Sequence, residues 1–402
     1  MTQILQGVRI LEVAQWWFVP SAGAALCDWG AEIIKVEDPR VGDPQRGLMS
    51  SGLVAGGSAV NYMMEQPNRG KKSVAIDLKS ERGLELLYKL VEQSDVFLTS
   101  FLPELRKRLR IDVEHLRERN PNLIYVRGSG QGARGPETDK AGYDGTSYWC
   151  RSGMATALTR PDADAPASPR AAFGDGVGGL TIAGGIAGAL FHRERTGEAT
   201  VVDVSLLATA MWQLAPDIDL SPVIPSMPPM DRTRPANPVV NSFRTSDDRW
   251  IQFVLLQADR EWPDFCEHIG RPDLIDDERF SDMNKRRENA TECVNVLDEV
   301  FASRTLAEWR ERLETMRGAW TPLQTPLEVH EDRQVLANGF LSEVQGTEGE
   351  PYKLVANPIQ YDEEPYALSP APEHGQHTEE VLLEAGLSWE EVAQCKKEGA
   401  IP

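Results

Sequence analysis

Val8-Arg9-Ile10-Leu11-Glu12-Val13 is the first of a series of short runs, rich in β-branched and other large apolar residues, that decides the fold; Glu32–Val36, Ser73–Asp77, Val96–Thr99 and Leu123–Arg127 follow it. Runs of this length bounded by turn formers read as strands. Between them stand helical patterns at Ser21–Trp29, at Glu81–Ser94 with Leu84, Leu87 and Val91 on one face, and at Val113–Arg119. Strands and helices in alternation, joined by short connections, imply a parallel sheet covered by helices. A further strand, Val201–Val204, and a helix from about Leu206 continue the series.

Outward from this α/β region, Ser221-Pro222-Val223-Ile224-Pro225 opens a stretch that continues through Pro228, Pro229, Pro235 and Pro238. So many prolines exclude regular structure, and the stretch reads as a linker. Beyond it a strand at Trp250–Leu256 and helices at Glu261–Ile269 and Thr291–Ser303 outline a smaller α+β unit. Thr321-Pro322-Leu323-Gln324-Thr325-Pro326 ends that unit. A strand near Phe340–Val344 and helices near Thr378–Leu383 and Trp389–Glu398 then read as a return to the first domain. The expected organisation is a large α/β domain over 1–222, a small domain over 223–325, and a C-terminal segment, 326–402, that rejoins the large one.

Lys and Arg number 42 against 62 Asp and Glu, a net charge of -20. Such a chain repels polyanions, so nucleic acid and anionic membrane surfaces are not expected partners, and a phosphate-bearing ligand needs a local basic patch. Cys27, Cys150, Cys266, Cys293 and Cys395 are scattered with no C-x-x-C pair, so neither a disulfide framework nor a zinc site is expected, and a reducing cytoplasm fits. No export signal is read at the N-terminus, and the apolar stretch Leu180–Phe191 falls short of the ~20 residues that cross a bilayer. The histidines, His374 and His377 included, show no metal-ligand spacing.

Gly130-Gln131-Gly132-Ala133-Arg134-Gly135 is a literal G-x-G-x-x-G after a strand. A dinucleotide fingerprint needs a helix to open at its glycines, whereas Pro136-Glu137-Thr138-Asp139 follows here. The stretch reads instead as a loop at the carboxyl edge of the sheet, where open α/β sheets bind ligands. Phe173-Gly174-Asp175-Gly176-Val177-Gly178-Gly179 sets one carboxylate among four glycines ahead of the small-residue helix Leu180–Phe191. Two readings stand: a nucleophile for a thioester, with glycines admitting a bulky ligand, or a helix N-cap with glycines serving close packing. The basic clusters Asn68-Arg69-Gly70-Lys71-Lys72 and Arg106-Lys107-Arg108-Leu109-Arg110 fit a phosphate patch, and the second equally fits a solvated helix face. Trp16-Trp17-Phe18 either fills the core or stacks on an adenine or acyl group; three consecutive aromatics cannot all face one side.

Several ordered stretches carry a family resemblance: Gly7–Glu12, Gly30–Glu37, Asn68–Lys79, Gly130–Pro136, Ala141-Gly142-Tyr143-Asp144, Gly174-Asp175, Thr196-Gly197-Glu198 on to Val202–Leu207, and Gly375–Leu382. Together they resemble the class III (CaiB/BaiF) CoA-transferases, the family of carnitine, bile-acid and formyl-CoA transferases, over nearly the whole chain. The resemblance implies a Rossmann-like large domain with a parallel sheet built from both chain ends, a smaller α+β domain, and an interlocked homodimer. It implies acyl-CoA and a small carboxylic acid as partners, with coenzyme A as substrate and no permanently bound cofactor or metal. By the same resemblance Asp175 attacks the donor thioester to give a mixed anhydride and CoA thiolate. The thiolate then takes the aspartyl carbonyl, leaving an aspartyl-CoA thioester that the acceptor carboxylate resolves. Arg108 resembles the family's phosphate-binding arginine, and Trp17, Phe18, Ile76, Leu78, Ser100, Phe101 and Tyr143 are expected along the CoA and acyl path. Arg40, Lys72, Lys140 and Gly176 complete the expected binding set. Three departures stand out: Ser100 where many members have asparagine, Trp16-Trp17 in place of smaller or polar residues, and no glycine run at about Asn237–Phe243 to close over a loaded aspartate.

Two rival functions are weighed against transfer. An α-methylacyl-CoA racemase needs two opposed acid/base groups, and its relatives have histidine where Tyr143 stands; tyrosine, with an ordinary pKa of about 10, is a poor base at neutral pH. A catalytically inactive acyl-CoA-binding protein would have no use for a nucleophile in a glycine setting.

Overall fold

The apolar runs form six parallel strands: β1 (Arg9–Val13), β2 (Glu32–Glu37), β3 (Lys72–Ala75), β4 (Val96–Thr99), β5 (Ile124–Ser129) and β6 (Val201–Ser205). Their order in the sheet is β3-β2-β1-β4-β5-β6, with Ile10 opposite both Ile33 and Val96. The order reverses between β1 and β4, so the loops leaving those two strands part in opposite directions and open a crevice at their carboxyl ends. The computed structural model describes residues 2–48, 60–160, 162–224, 231–346, 349 and 351–402. Two units are compact, Met1–Met227 with Arg333–Pro402 and Pro228–Asp332. Part of the proline-rich linker expected from Ser221 lies outside the described residues.

Side chains alternate across a strand, so the sheet feeds two cores. Ile10, Ile33, Val96, Leu98, Ile124 and Val126 pack with the helices Phe18–Asp28 and Phe173–Thr196. Leu11, Ile34, Val36, Phe97 and Tyr125 pack with the Glu81–Val91 helix and with Val381, Leu382, Val392 and Cys395 of the chain's end. One expectation is corrected here: all six strands come from the first 205 residues, and the C-terminal segment returns as helices, Thr378–Glu384 and Trp389–Lys397, and not as strands of this sheet. It closes the β3 edge through hydrogen bonds from His377 N–H to Ser73 O (2.9 Å), Ala75 N–H to Thr378 Oγ1 (3.0 Å) and Gly375 N–H to Ser73 Oγ (2.8 Å).

The glycine-rich helix is also longer than the sequence suggests, 24 residues from Phe173 to Thr196. Among the described residues it is the one helix long and apolar enough, by length and composition, to cross a membrane. Here it serves as a core helix, with Ile182, Ala183 and Ile186 fully buried. Each glycine costs a helix about 1 kcal/mol relative to alanine, and close packing explains several of these glycines but not Gly176, Gly184 or Gly188. A Cβ at Gly174 would run into the Tyr148 ring, one at Gly178 into Phe18, and one at Gly179 into Ser21.

The smaller unit carries an antiparallel sheet of β7 (Val240–Arg244), β8 (Trp250–Val254) and β9 (Ala319–Pro322) in that order. Phe243, Phe253, Phe265, Phe301, Trp262 and Trp309 fill its core. Thr321-Pro322, read from sequence as the start of a linker, ends the edge strand β9, a place where a missing backbone N–H is tolerated.

Candidate functional site

Two cavities open at the carboxyl ends of the strands, and Gln15, Phe101 and Leu105 line both. The first, about 260 Å³, lies beyond β1, β2 and β3, with Ile76 and Leu78 as apolar wall, Lys79 and Arg108 as cations, and Glu37, Asp38, Asp43 and Asp77 as carboxylates. The second, about 230 Å³, lies at the switch point between β1 and β4 and contains Asp175. Gln15 N–H donates to Ser100 Oγ at 3.0 Å, which ties the loop after β1 to the loop after β4.

Asp175 occupies the first turn of the Phe173–Thr196 helix, half-buried. The helix has no cap of its own: Ala172 stands at the N-cap in a left-handed conformation, φ 59, with no side-chain hydrogen bond. Asp144, on the short π-helical stretch Asp144–Cys150, supplies the acceptor instead, its Oδ1 taking the Gly174 N–H at 3.0 Å. Its second oxygen is buried with no hydrogen-bond partner among the described residues. Burial raises the Asp144 pKa above the usual carboxylate range. Burial and then the Asp144 charge push the Asp175 carboxyl up to about 7. A carboxylate deprived of water in this way is a stronger nucleophile than a solvated one, and strongly shifted groups gather at functional sites.

A family model, CoA-transferase family III, matches residues 5–378. The (R)-2-hydroxy-4-methylpentanoate CoA-transferase of Clostridioides difficile is 32% identical over 394 residues, covering 98% of each chain. The cinnamoyl-CoA:phenyllactate CoA-transferase of Clostridium sporogenes is 29% identical and covers 99% of this chain and 97% of its own. The chain belongs to CoA-transferase family III. Among solved structures, that of a CaiB/BaiF family protein from Brucella suis superposes with a TM-score of 0.82 at 27% identity, over 96% of this chain and 100% of that one. The protein is accordingly a CoA-transferase by family.

In this transferase Phe18, Ser100, Phe101 and Tyr143 line the cavity that holds Asp175, while Ile76, Leu78, Phe101 and Arg108 line its neighbour. Within the Arg106–Arg110 cluster, Arg106 pairs with Asp112, Lys107 with Glu104 and Arg110 with Glu81. Arg108 has no ion pair among the described residues. Other expected residues fall elsewhere. Lys72 is held by Glu32, Glu380 and Glu384 and lines neither cavity. Lys71 is fully buried on Glu12, and Arg69 is buried on Asp28, so the Asn68–Lys72 cluster is internal structure and not a phosphate patch. Arg40 and Lys140 are exposed, facing Asp38 and Glu137, and line neither cavity. Trp17 takes the N-cap position of the Phe18–Asp28 helix, and its neighbour Trp16 lines the cavity in its place. Gly176 lines neither cavity, but a Cβ there would meet nothing within 4 Å. The residues after Gly130 form a loop with no helix opening, which removes the dinucleotide reading; a Cβ on Gly130 would strike the backbone of Gly142.

Asp144 is the neighbour of Asp175 that sequence reasoning missed. Its stretch, Ala141–Asp144, carries family character, but nothing in the spacing says that it meets a helix start thirty residues on. Asp144→Asn keeps an oxygen for the Gly174 N–H and removes the charge that holds a proton on Asp175. If ionised Asp175 is the reacting group, kcat/KM has an acid limb near pH 7, and that limb is expected to move to lower pH in this variant. An unmoved limb would show that Asp144 does not act on Asp175 through its charge.

Proposed function

We propose that Asp175 carries coenzyme A between two carboxylic acids as a covalent aspartyl intermediate. One carboxylate oxygen attacks the donor thioester carbonyl, the C–S bond breaks, and an acyl-aspartyl anhydride and CoA thiolate result. The thiolate attacks the aspartyl carbonyl, the anhydride C–O bond breaks, and the donor acid leaves behind an aspartyl-CoA thioester. The acceptor carboxylate repeats the sequence in reverse and departs as the new acyl-CoA. Throughout, charge develops at the first turn of a helix, whose N-terminal partial positive charge favours oxyanions.

The observation that carries this reading is a lone desolvated carboxylate, Asp175, in a cavity that adjoins one offering the guanidinium of Arg108. Arg108 would meet a CoA phosphate there, although Glu37, Asp38, Asp43 and Asp77 line the same cavity and Lys79 is paired with Asp38, and the thioester would lie at Asp175. No histidine lines either cavity among the described residues, so a racemase would lack its second base. Incubation with acyl-CoA and hydroxylamine tests the reading. Peptide mass spectrometry is expected to find a hydroxamate on Asp175 with parallel loss of activity; protein that stays unlabelled while remaining active would refute a covalent route.

The interlocked homodimer belongs to the same proposal. Its support is apolar surface with no covering in a single chain: Trp212 is 85% exposed and, with Met211 and Val177, lines a groove of about 1100 Å³. Light scattering is the direct check, a dimer reading twice the chain mass. A cytoplasmic site is the compartment that five free cysteines fit.

A further inference from the structure

The cavity around Asp175 contains, among the described residues, no lysine, arginine or histidine; Asp175 is the only charged residue that lines it. Its walls are largely apolar, Phe18, Phe101, Leu102, Leu105 and Leu206 with glycines between them, and its neutral polar points are Gln15, Ser100 and Ser129. At its mouth two large aromatics face water, Trp16 at 37% exposure and Tyr143 at 55%, with the rings edge to face at 6.0 Å. Neither serves the core.

Trp16 is held there against its backbone preference. Its φ is 70, the left-handed region that a bulky residue avoids at a cost of about 1–2 kcal/mol. Its N–H donates at 3.2 Å to Asp43 Oδ1, and Asp43 is itself fully buried on Lys35. A strained residue fixed by a buried ion pair, with its indole at the entrance to a reactive carboxylate, has the mark of a site constraint.

On these grounds we propose that the acids exchanged at Asp175 are monocarboxylates with an apolar or aromatic side chain, selected by the Trp16–Tyr143 pair. This rests on the reading of Asp175 as the nucleophile. The single carboxyl group of such an acid is consumed as thioester or anhydride, and the rest of the molecule meets aromatic and aliphatic wall. A second carboxylate would be stripped of water with no cation to face and with Asp175 beside it; removing an ion from water without a partner costs several kcal/mol. Of the neighbouring cavity's cations, Lys79 is paired with Asp38, and Arg108 would be taken by CoA in the same complex.

A panel of acyl-CoA donors and acids, read by mass spectrometry, tests the inference. 4-Methylpentanoate and 3-phenylpropanoate are expected to exceed glutarate in kcat/KM by about 100-fold or more. Trp16→Ala is expected to lower the ratio of 3-phenylpropanoate to propanoate by about tenfold, with Trp16→Phe retaining most of it. Trp16→Arg, which places a cation at the mouth, is expected to shift preference towards glutarate. Wild-type preference for glutarate, or a ratio indifferent to Trp16→Ala, overturns the inference and leaves the transferase reading standing. Failure of every pair to exchange CoA, with no label on Asp175, overturns both.

Discussion

Asp175→Asn is expected to abolish CoA transfer and, at pH 8, to make the protein more stable. The amide retains the shape of the carboxyl and lacks the nucleophile, so turnover should fall by about 10³-fold or more, as loss of a covalent nucleophile does elsewhere. The stability gain follows from the raised pKa. In the unfolded chain this carboxyl titrates in the ordinary range near 3.8, and in the folded protein near 7. Below the lower value both states carry the proton and the side chain costs nothing. Between these values the unfolded chain releases its proton while the folded carboxyl, whose charge burial and Asp144 disfavour, keeps it, so stability falls from about pH 3.8 to about pH 7 and is level above that. Water reaching a half-buried group limits the effect to about 1–2 kcal/mol, or about 2–4 °C in Tm. Thermal unfolding of both proteins at pH 4 and pH 8 checks it: the variant should lead at pH 8 and the two should converge at pH 4. Equal melting at both pH values would mean that the carboxyl is not strained, and full activity would remove it from the mechanism.

Most of the large unit was legible because parallel strands buried on both faces leave continuous apolar runs. The runs at Val8, Glu32, Val96 and Leu123 became strands within a residue or two of their expected bounds. Legibility failed where tertiary contacts override local preference. The glycines from 174 to 179 read as the approach to a helix at Leu180, yet they are already helical, and Tyr148, Phe18 and Ser21 press into the spaces left by Gly174, Gly178 and Gly179. β7 was hidden because its inward positions include the polar Asn241 beside Phe243, which blurs the alternation of a half-buried strand.

The glycines around Asp175 left two readings open, and three of them serve packing; the family resemblance is what singles this carboxylate out as the candidate nucleophile, and its surroundings were poorly legible. The resemblance points to Trp17, whereas Trp16 is the tryptophan that takes a left-handed backbone and lines the cavity, a difference that the sequence of two adjacent tryptophans does not encode. Lys71 and Lys72 are neighbours where β3 begins, but the first side chain runs to a carboxylate in the core and the second to the surface. No periodicity announces a buried lysine, since its partner, Glu12, lies on another strand.

That buried cluster is where the second large effect is expected. Glu12, Lys35, Asp43 and Lys71 have fully buried side chains, two carboxylates against two ammonium groups. Lys71 Nζ lies 2.8 Å from Glu12 Oε2 and also donates to Pro20 O and Asn68 Oδ1; Lys35 bridges Glu12 at 3.2 Å and Asp43 at 2.9 Å. Burial, helped by Lys35, already lowers the Lys71 pKa to about 8 even with Glu12 opposing the shift. Glu12→Gln preserves volume and leaves two buried cations facing one carboxylate, a loss of about 3–5 kcal/mol on the precedent of broken buried pairs. Glu12→Gln combined with Lys71→Met restores neutrality around Lys35 and Asp43, so it should recover about half of that loss despite removing more hydrogen bonds. Urea unfolding at pH 7 measures both. A double variant no more stable than the single would show that the hydrogen bonds of Lys71, and not charge balance, hold this part of the core. Because Asp43 also fixes the Trp16 backbone, the single variant should loosen the cavity mouth and lower kcat/KM for bulky acids even below the urea concentrations that unfold it.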